Sequence, residues 1–301
     1  MNKLIGVDLD GTLLNSKNEI SSYSKKIIDR TLDQGHKVAI ITGRDYYSSI
    51  HIAKELFSGI NGGLLASSNG AHVYDLKSNE TIINHIIKKE VVKDIIRFSR
   101  NLGLTYFIYK DNKVLVDTIE TYDIDYIHTK NKIDIVLVDN LEEHITEDLN
   151  KVVISGKPDK IRENIEKIKG RFSNEINPIC SMPQFIDCIP AGINKGVCIN
   201  ELGKYYNIDR KYIVSFGDGI NDIEMLEASG IAVSMGNAVD SVKKISDYVG
   251  PSNHEDGVAK FIENYVLIDW FKLTLCQIVL VNKNQPNTLS GIEISIPEFF
   301  S

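Results

Sequence analysis

The chain has 301 residues, of which 43% are hydrophobic and 25% are charged, as in folded globular proteins rather than disordered or fibrous ones. Its formal net charge of −7 disfavours a protein that holds nucleic acid or an anionic membrane through unspecific basic contacts. At roughly 100–200 residues per domain, the length indicates about two domains or one large α/β domain. If the ligand is an anion, its attraction has to be local.

The sequence predicts neither a disulfide framework nor a membrane span. Its cysteines are Cys180, Cys188, Cys198 and Cys276. They form no CxxC pair and no Cys/His cluster with zinc spacing, so we expect free thiols in a reducing compartment. No signal-peptide pattern opens the chain. Asp269 and Lys272 interrupt the longest apolar stretch, 266–281, which is shorter than the ~20 residues of a spanning helix. We expect a cytoplasmic protein, a monomer or weak homodimer, with no membrane or nucleic acid polymer as partner.

In the first third of the chain, short apolar runs alternate with segments whose apolar residues recur at helical spacing. The predicted elements are a strand at 4–8, a helix at 21–34, a strand at 38–42, a helix after Asp45 and a strand at 64–67. Short alternation of strand and helix is typical of a parallel, doubly wound sheet.

The pattern changes near Ile82, where hairpins mix with helices. Predicted helices are 90–102 and 158–169, and predicted strands are 105–109, 113–116, 133–138, 151–155, 176–181 and 185–189. Turn residues separate the strand at 105–109 from that at 113–116, and the strand at 176–181 from that at 185–189. This mixture predicts an α+β module with an antiparallel sheet.

The first pattern returns after Gly192. It predicts helices at 195–206, 222–228, 239–245 and 258–265, with strands at 212–216, 231–233 and 248–249. The predicted fold class is therefore α/β, a doubly wound Rossmann-like parallel sheet core with an inserted α+β domain. We expect the core at 1–81 and 188–267, the insertion at 82–187, and a tail of unknown role at 268–301.

Asp8 and Asp10 follow the first predicted strand. In α/β sheets the carboxyl end of a strand is where ligands bind. Two carboxylates this close repel each other, and a cation with a preference for oxygen ligands, such as Mg²⁺, would relieve that repulsion. One of them can attack a phosphoryl group, and the other can act as general acid and base. An ordinary Asp-Gly turn at Gly11 is the structural alternative.

Three further clusters lie at strand ends or helix starts. Thr42 and Gly43 follow the second strand, where a hydroxyl and free N–H groups can hold a phosphate or can merely cap a helix. Lys195 opens a helix, where it meets either solvent or a bound anion. The segment 217–222 (GDGIND) offers Asp218 for a metal, Asn221 for a phosphate oxygen, and Asp222 to orient the loop or reach the metal through water. The alternative is an acidic turn that caps the next helix through Asn221 or Asp222.

These motifs resemble those of the haloacid dehalogenase (HAD) superfamily, specifically the Cof-type phosphatases with a C2B cap, also called subclass IIB. The resemblance rests on 8–14 (DLDGTLL), 41–44 (ITGR), 68–71 (SNGA), 195–196 (KG) and 217–222, in the family's order. It covers roughly residues 1–267, with the large insertion where that group carries its cap. The tail at 268–301 departs from the pattern.

The resemblance implies a role for each matching residue. Asp8 would be the nucleophile and a Mg²⁺ ligand, and Asp10 the acid/base with its carbonyl on the metal. Asp218 would complete the metal site and Asp222 would support it. The phosphate would be held by the Leu9 backbone, Thr42, Gly43, Lys195 and Asn221.

The implied activity is Mg²⁺-dependent hydrolysis of a small phosphorylated metabolite, such as a sugar phosphate, a nucleotide or a phosphorylated cofactor. A phosphomutase or sugar-phosphate phosphoryl transferase is the alternative within the superfamily. A non-catalytic binding protein is a third reading, although both Asp8 and Asp10 are present. Polar candidates for contact with the leaving group are Lys110, Lys113, Tyr122, Tyr126 and His128, although a solvated surface position is the favoured reading for each.

Overall fold

The structure, a computed structural model, describes residues 1–58 and 62–267. It contains two β-sheets, and the predicted tail at 268–301 lies outside the described residues. No helix within the described ranges is both long and apolar enough to cross a bilayer.

The larger sheet has eight strands. They are β1 (Leu4–Val7), β2 (Lys37–Ile41), β3 (Leu64–Ser67), β4 (His72–Asp75), β5 (Glu80–Asn84), β12 (Ile213–Gly217), β13 (Ile231–Ser234) and β14 (Tyr248–Val249). Their order is β14-β13-β12-β1-β2-β3-β4-β5, and the first six in that order pair in parallel. The continuous apolar runs make β1, β3, β12 and β13 buried along their whole length. This confirms the predicted α/β class.

The smaller sheet has six strands. They are β6 (Thr105–Lys110), β7 (Lys113–Val116), β8 (Asp134–Leu137), β9 (Val152–Ser155), β10 (Ile176–Met182) and β11 (Phe185–Pro190). Their order is β10-β11-β9-β6-β7-β8, and every pair except β7 with β8 is antiparallel. The hairpin predicted between β6 and β7 turns at Asp111 and Asn112, whose φ angles of 49° and 59° suit a tight hairpin turn.

The helices of the described chain connect and cover these strands. They are α1 (Ser22–Asp33), α2 (Tyr46–Leu56), α3 (Lys89–Asn101), α4 (Ile124–Asn131), α5 (Leu141–His144), α6 (Pro158–Arg171), α7 (Lys195–Tyr205), α8 (Ile223–Ala228), α9 (Asp240–Ile245) and α10 (Gly257–Phe261), which continues as a π-helical turn, Ile262–Val266.

Helices pack on both faces of the larger sheet. Ile5 and Val7 share one apolar cluster with residues of α1, α2 and α10. Leu4, from the same strand, points to the other face and packs among residues of α7 and α8. Successive side chains of a strand point to opposite faces, so a run buried throughout needs cover on both. The sheet is therefore doubly wound, as predicted.

Antiparallel strands at one edge were not predicted from the sequence. Strands β4 and β5 extend the larger sheet beyond β3. Residues of β5 are half-buried or exposed, so no apolar run marks it. It spans the boundary expected after residue 81, and β11 continues to Pro190, past the one expected after residue 187. The division into core and cap stays a prediction.

Candidate active site

Two neighbouring strands of the larger sheet end in aspartates. Strand β1 pairs with β2 on one side and β12 on the other, and Asp8 and Asp218 directly follow β1 and β12. Chain order reverses between β1 and β12, the position where open α/β sheets form ligand crevices. Gly11 has a φ of +80°, and a Cβ there would overlap the Asp218 carboxylate, so the close approach of the two loops requires glycine.

A buried ammonium joins two of the carboxylates. Lys195 Nζ lies 2.5 Å from Asp8 Oδ1 and 2.6 Å from Asp222 Oδ1. The Lys195 side chain is 0% exposed, and those of Asp8 and Asp222 are 8% and 1% exposed. A lysine buried this deeply is stable only when it is paired. Lys195 therefore belongs to the site, and the solvated lysine considered as its alternative is excluded.

Asp222 holds the loop that carries Asp218. Its Oδ2 accepts hydrogen bonds of 2.9 Å from the N–H groups of Asp218 and Gly219. Thr12 Oγ1 donates to Asp218 Oδ1 at 2.8 Å. Both Asp222 oxygens thus have protein partners, which agrees with a loop-orienting role, whereas among the described residues one oxygen of Asp8 and one of Asp218 are bonded.

The carboxylates of Asp8, Asp218 and Asp222 fit a divalent cation. One oxygen from each lies within 4.8 Å of the other two. Three carboxylates against the single charge of Lys195 leave two formal negative charges. Such a set of carboxylate oxygens is what Ca²⁺ and Mg²⁺ bind. The cluster can therefore hold a metal ion.

The pKa values express the same excess of negative charge. Burial and repulsion by Asp222 raise the pKa of Asp8 to about 8, against the opposing charge of Lys195. Burial and the Asp222 charge also raise the pKa of Asp218 to about 6, although the Thr12 hydrogen bond opposes this. A cation bound beside them would lower both pKa values and favour the carboxylate forms.

Asp10 lies apart from this cluster and pairs with cations. Arg44 donates to its two oxygens, Nε to Oδ2 at 2.8 Å and Nη2 to Oδ1 at 2.6 Å. Lys130 of α4 brings its Nζ within 3.3 Å of Oδ1. Burial alone would raise the pKa of Asp10, but Arg44 and Lys130 outweigh it and hold the pKa below its ordinary value. The Asp10 side chain is absent from the carboxylate cluster, and the expected metal contact through its carbonyl stays a prediction.

The loop after β2 carries Thr42 and Gly43, two of the predicted phosphate-binding residues. Thr42 Oγ1 accepts from the Arg44 N–H at 3.1 Å, and the Thr42 carbonyl accepts from Asn69 N–H at 2.8 Å. Asn69 has a φ of +54°, and its Oδ1 lies 3.5 Å from Asn221 Nδ2. Asn69 thus lies between the loop after β2 and the loop after β12, and it belongs to the SNGA segment noted in the sequence.

A cavity of about 250 Å³ joins these loops to the smaller sheet. Asp8, Asp10, Thr42, Gly43, Asp218 and Asn221 line one side of it. Rings of Phe107, Tyr126 and Phe185 line the other. Tyr126 stacks on Phe185 with ring centroids 6.4 Å apart, and Phe107 meets Phe185 edge-on at 6.0 Å. The cavity therefore has carboxylates on the side of the larger sheet, and aromatic rings together with the Lys151–Asp187 pair on the side of the smaller one.

Among the polar candidates of the insertion, Tyr126 reaches the cavity. Lys110 instead donates to the His144 carbonyl and Thr146, and His128 Nδ1 contacts the Ile133 carbonyl. The Leu9 side chain is fully buried, so the phosphate contact expected of Leu9 can come only from its main chain.

Sequence reasoning missed three cations and one anion that contact the site or line its cavity. Arg44 was recognised only as part of a motif, and Lys130, Lys151 and Asp187 were not singled out. The position of Arg44 directly after Gly43 at a strand end was a usable signal. No local signal marks the others, because their contacts join distant parts of the chain.

The doubly wound sheet carries its carboxylate cluster at the carboxyl edge, where such sheets bind their ligands, and the smaller sheet lies across the cavity. A profile of the haloacid dehalogenase-like hydrolases matches residues 5–262. The chain belongs to this family.

Similar proteins agree over most of the chain. The 5-amino-6-(5-phospho-D-ribitylamino)uracil phosphatase YitU of Bacillus subtilis is 33% identical, over 87% of this chain and 97% of its own. A haloacid dehalogenase-like hydrolase from Bacteroides thetaiotaomicron has a solved structure that is 32% identical, with a TM-score of 0.82, over 88% of this chain and 99% of its own. A sugar phosphatase of HAD subclass IIB shares the fold at 24% identity, with a TM-score of 0.73, over 89% of this chain and all of its own. The family and the named relatives identify this protein as a phosphomonoester hydrolase.

Proposed function

We propose that this hydrolase cleaves a small phosphomonoester through an aspartyl-phosphate on Asp8, with Mg²⁺ as its cofactor. The observation that carries the proposal is the buried group of Asp8, Lys195 and Asp222, whose Asp8 lines a cavity together with Thr42 and Gly43. Asp8 has one oxygen on Lys195, and its second oxygen is available to attack phosphorus.

The cation would be held by Asp8 and Asp218, with Asp222 behind them and the Asp10 carbonyl as a further oxygen ligand. When bound, it would supply positive charge beside the phosphoryl oxygens and lower the pKa of the nucleophilic carboxyl group. Lys195 and the main-chain N–H groups of Leu9 and Gly43 would stabilise the remaining charge on the phosphoryl group, with the Thr42 hydroxyl and the Asn221 amide as further donors.

The reaction has two halves, formation of the aspartyl-phosphate and its hydrolysis. In the first, an Asp8 carboxylate oxygen bonds to phosphorus, the bond to the ester oxygen breaks, and that oxygen takes a proton from Asp10. In the second, water attacks phosphorus and gives a proton to Asp10. The bond from phosphorus to the Asp8 oxygen breaks, so phosphate is released and the Asp8 carboxylate is restored. Arg44 and Lys130 favour the carboxylate form of Asp10, which accepts the proton in the second half; the first half requires the protonated form, which the same two cations disfavour.

The aromatic side of the cavity suits a leaving group that carries a planar ring. Tyr126 is partly exposed there, and Phe185 and Phe107, 2% and 0% exposed, pack behind it. Relatives named as phosphatases of 5-amino-6-(5-phospho-D-ribitylamino)uracil are 33% and 31% identical over 87% and 88% of the chain. We take that compound, a pyrimidine ring linked to a phosphorylated polyol, as the first substrate to test.

The experiment measures free phosphate released from that compound, from ribitol 5-phosphate and from a set of sugar phosphates and nucleotides. We expect the highest kcat/KM with the ring-bearing compound. Tyr126→Leu should lower that preference, whereas Tyr122→Leu, outside the lining of the cavity, should not. Equal rates on ring-bearing and ring-free esters would contradict the substrate proposal, and an isomerised sugar phosphate without free phosphate would favour a phosphomutase.

Two further expectations stay proposals, a cytoplasmic location and a monomeric or weakly dimeric state. Cys180, Cys188 and Cys198 are free thiols in the structure, which agrees with a reducing compartment.

A further inference from the structure

Lys151 is a buried cation of the smaller sheet. It directly precedes β9, and its Nζ lies 2.8 Å from Asp187 Oδ2 on the neighbouring strand β11. Their side chains are 6% and 5% exposed, and both residues line the cavity. Replacing such a pair with apolar residues of similar volume is often neutral for stability or better. Stability alone therefore gives little reason for a lysine and an aspartate at these positions.

The same ammonium reaches the other sheet. Lys151 Nζ donates to the carbonyl of Gly43 at 3.0 Å, across 108 residues of chain. Gly43 lies in the loop after β2, beside Thr42 and Arg44. One lysine of the smaller sheet thus holds the main chain of the proposed phosphate-binding loop.

The peptide group that Lys151 contacts is fixed at both ends. Its carbonyl, from Gly43, accepts from Lys151, and its N–H, from Arg44, donates to Thr42 Oγ1 at 3.1 Å. A threonine hydroxyl has one proton to donate and two lone pairs. Because Arg44 N–H occupies a lone pair, the hydroxyl proton of Thr42 remains available for a phosphate oxygen. The orientation of this peptide also determines the direction in which the Arg44 side chain leaves the main chain. Arg44 donates two hydrogen bonds to the Asp10 carboxylate.

We propose that Lys151 is a positioning residue for phosphoryl transfer: paired with Asp187, it fixes the Gly43–Arg44 peptide and through it the Thr42 hydroxyl and the Arg44–Asp10 pair. The inference rests on the proposed function. It makes the geometry of the phosphate-binding loop depend on contact between the two sheets.

The test compares steady-state hydrolysis of an aryl phosphate by the full-length wild type, Lys151→Met and Lys157→Met. Lys157 is exposed, lies two residues beyond β9 and serves as the matched control. Misplacement by about 1 Å can cost about 100-fold in rate. We expect Lys151→Met to lower kcat at saturating substrate by about tenfold or more at a temperature where it is folded. Lys151→Arg should recover part of the loss, because it can still donate to the carbonyl.

Two outcomes would overturn the proposal: a kcat within twofold of wild type for folded Lys151→Met, or a lowered thermal midpoint as its only defect. If Lys151→Met does not fold, the double variant Lys151→Met with Asp187→Leu removes both buried charges and carries the same expectation. Failure of the proposed function is seen separately, as absent hydrolysis by the wild type or undiminished hydrolysis by Asp8→Asn.

Discussion

Replacement of Lys195 by methionine should damage both stability and catalysis. Methionine keeps the length and much of the volume of the side chain but removes the charge that Asp8 and Asp222 share at 2.5 and 2.6 Å. Removing one partner of a buried ion pair costs about 3–5 kcal/mol in free energy of unfolding, because the other charge stays buried. Asp8 has a pKa of about 8 even beside Lys195, so without a cation it is largely protonated at pH 7 and the loss falls mainly on the pair with Asp222. We expect a loss of about 3 kcal/mol at pH 7, at the lower end of the range.

Urea denaturation without added divalent cations measures that loss, with Lys204→Met as control on the exposed last turn of the same helix, α7. Hydrolysis of an aryl phosphate by Lys195→Met should fall about 100- to 1,000-fold, the usual effect of removing one donor that stabilises transition-state charge. A destabilisation below about 1 kcal/mol, the scale of an exposed ion pair, would refute the view that Lys195 holds two buried carboxylates. Hydrolysis within threefold of wild type would refute its role in phosphoryl transfer.

Two further predictions concern metal and charge. The raised pKa values of Asp8 (about 8) and Asp218 (about 6), against an ordinary 3.8, mean that the cation-free folded state binds protons that the unfolded state releases. Their contribution to stability is present below about pH 4 and is lost as the pH rises towards 8. Added Mg²⁺ should therefore raise the urea midpoint more at pH 8 than at pH 5, and less in Asp8→Asn; equal shifts at both pH values would contradict this. Arg44→Lys removes the two-point hydrogen bonding to Asp10 and should lower the free energy of unfolding by about 1.5–3 kcal/mol in urea denaturation. Lys130→Met removes a partly exposed ion pair and should lower it by less than about 1 kcal/mol. The reverse order would show that the insertion, not the loop after β2, holds Asp10.

The parallel sheet was predictable because it is encoded in local apolar runs. Strands β1, β3, β12 and β13 are buried on both faces, so their sequences are apolar except for the single serines Ser67, Ser215 and Ser234. The edge hairpin of β4 and β5 lacks that signal, because its exposed positions relax the demand for apolar residues.

The carboxylate cluster was predictable because parallel strands bring their carboxyl ends to one edge. Asp8 and Asp218 each directly follow a strand, so knowing the strands places them together. The contacts of Lys130 and Lys151 were not predictable in this way. They depend on how the smaller sheet lies over the larger one, and no periodicity in either segment encodes that arrangement.

The nucleophile is tested most directly by trapping the covalent intermediate. The full-length enzyme is mixed with substrate and Mg²⁺, quenched in acid within the first turnovers, digested and analysed by mass spectrometry. We predict a phosphoryl group on the peptide that contains Asp8, and neither that adduct nor phosphate release from Asp8→Asn. Asp8→Asn that is folded and releases phosphate at the wild-type rate would contradict the assignment of Asp8 as the nucleophile.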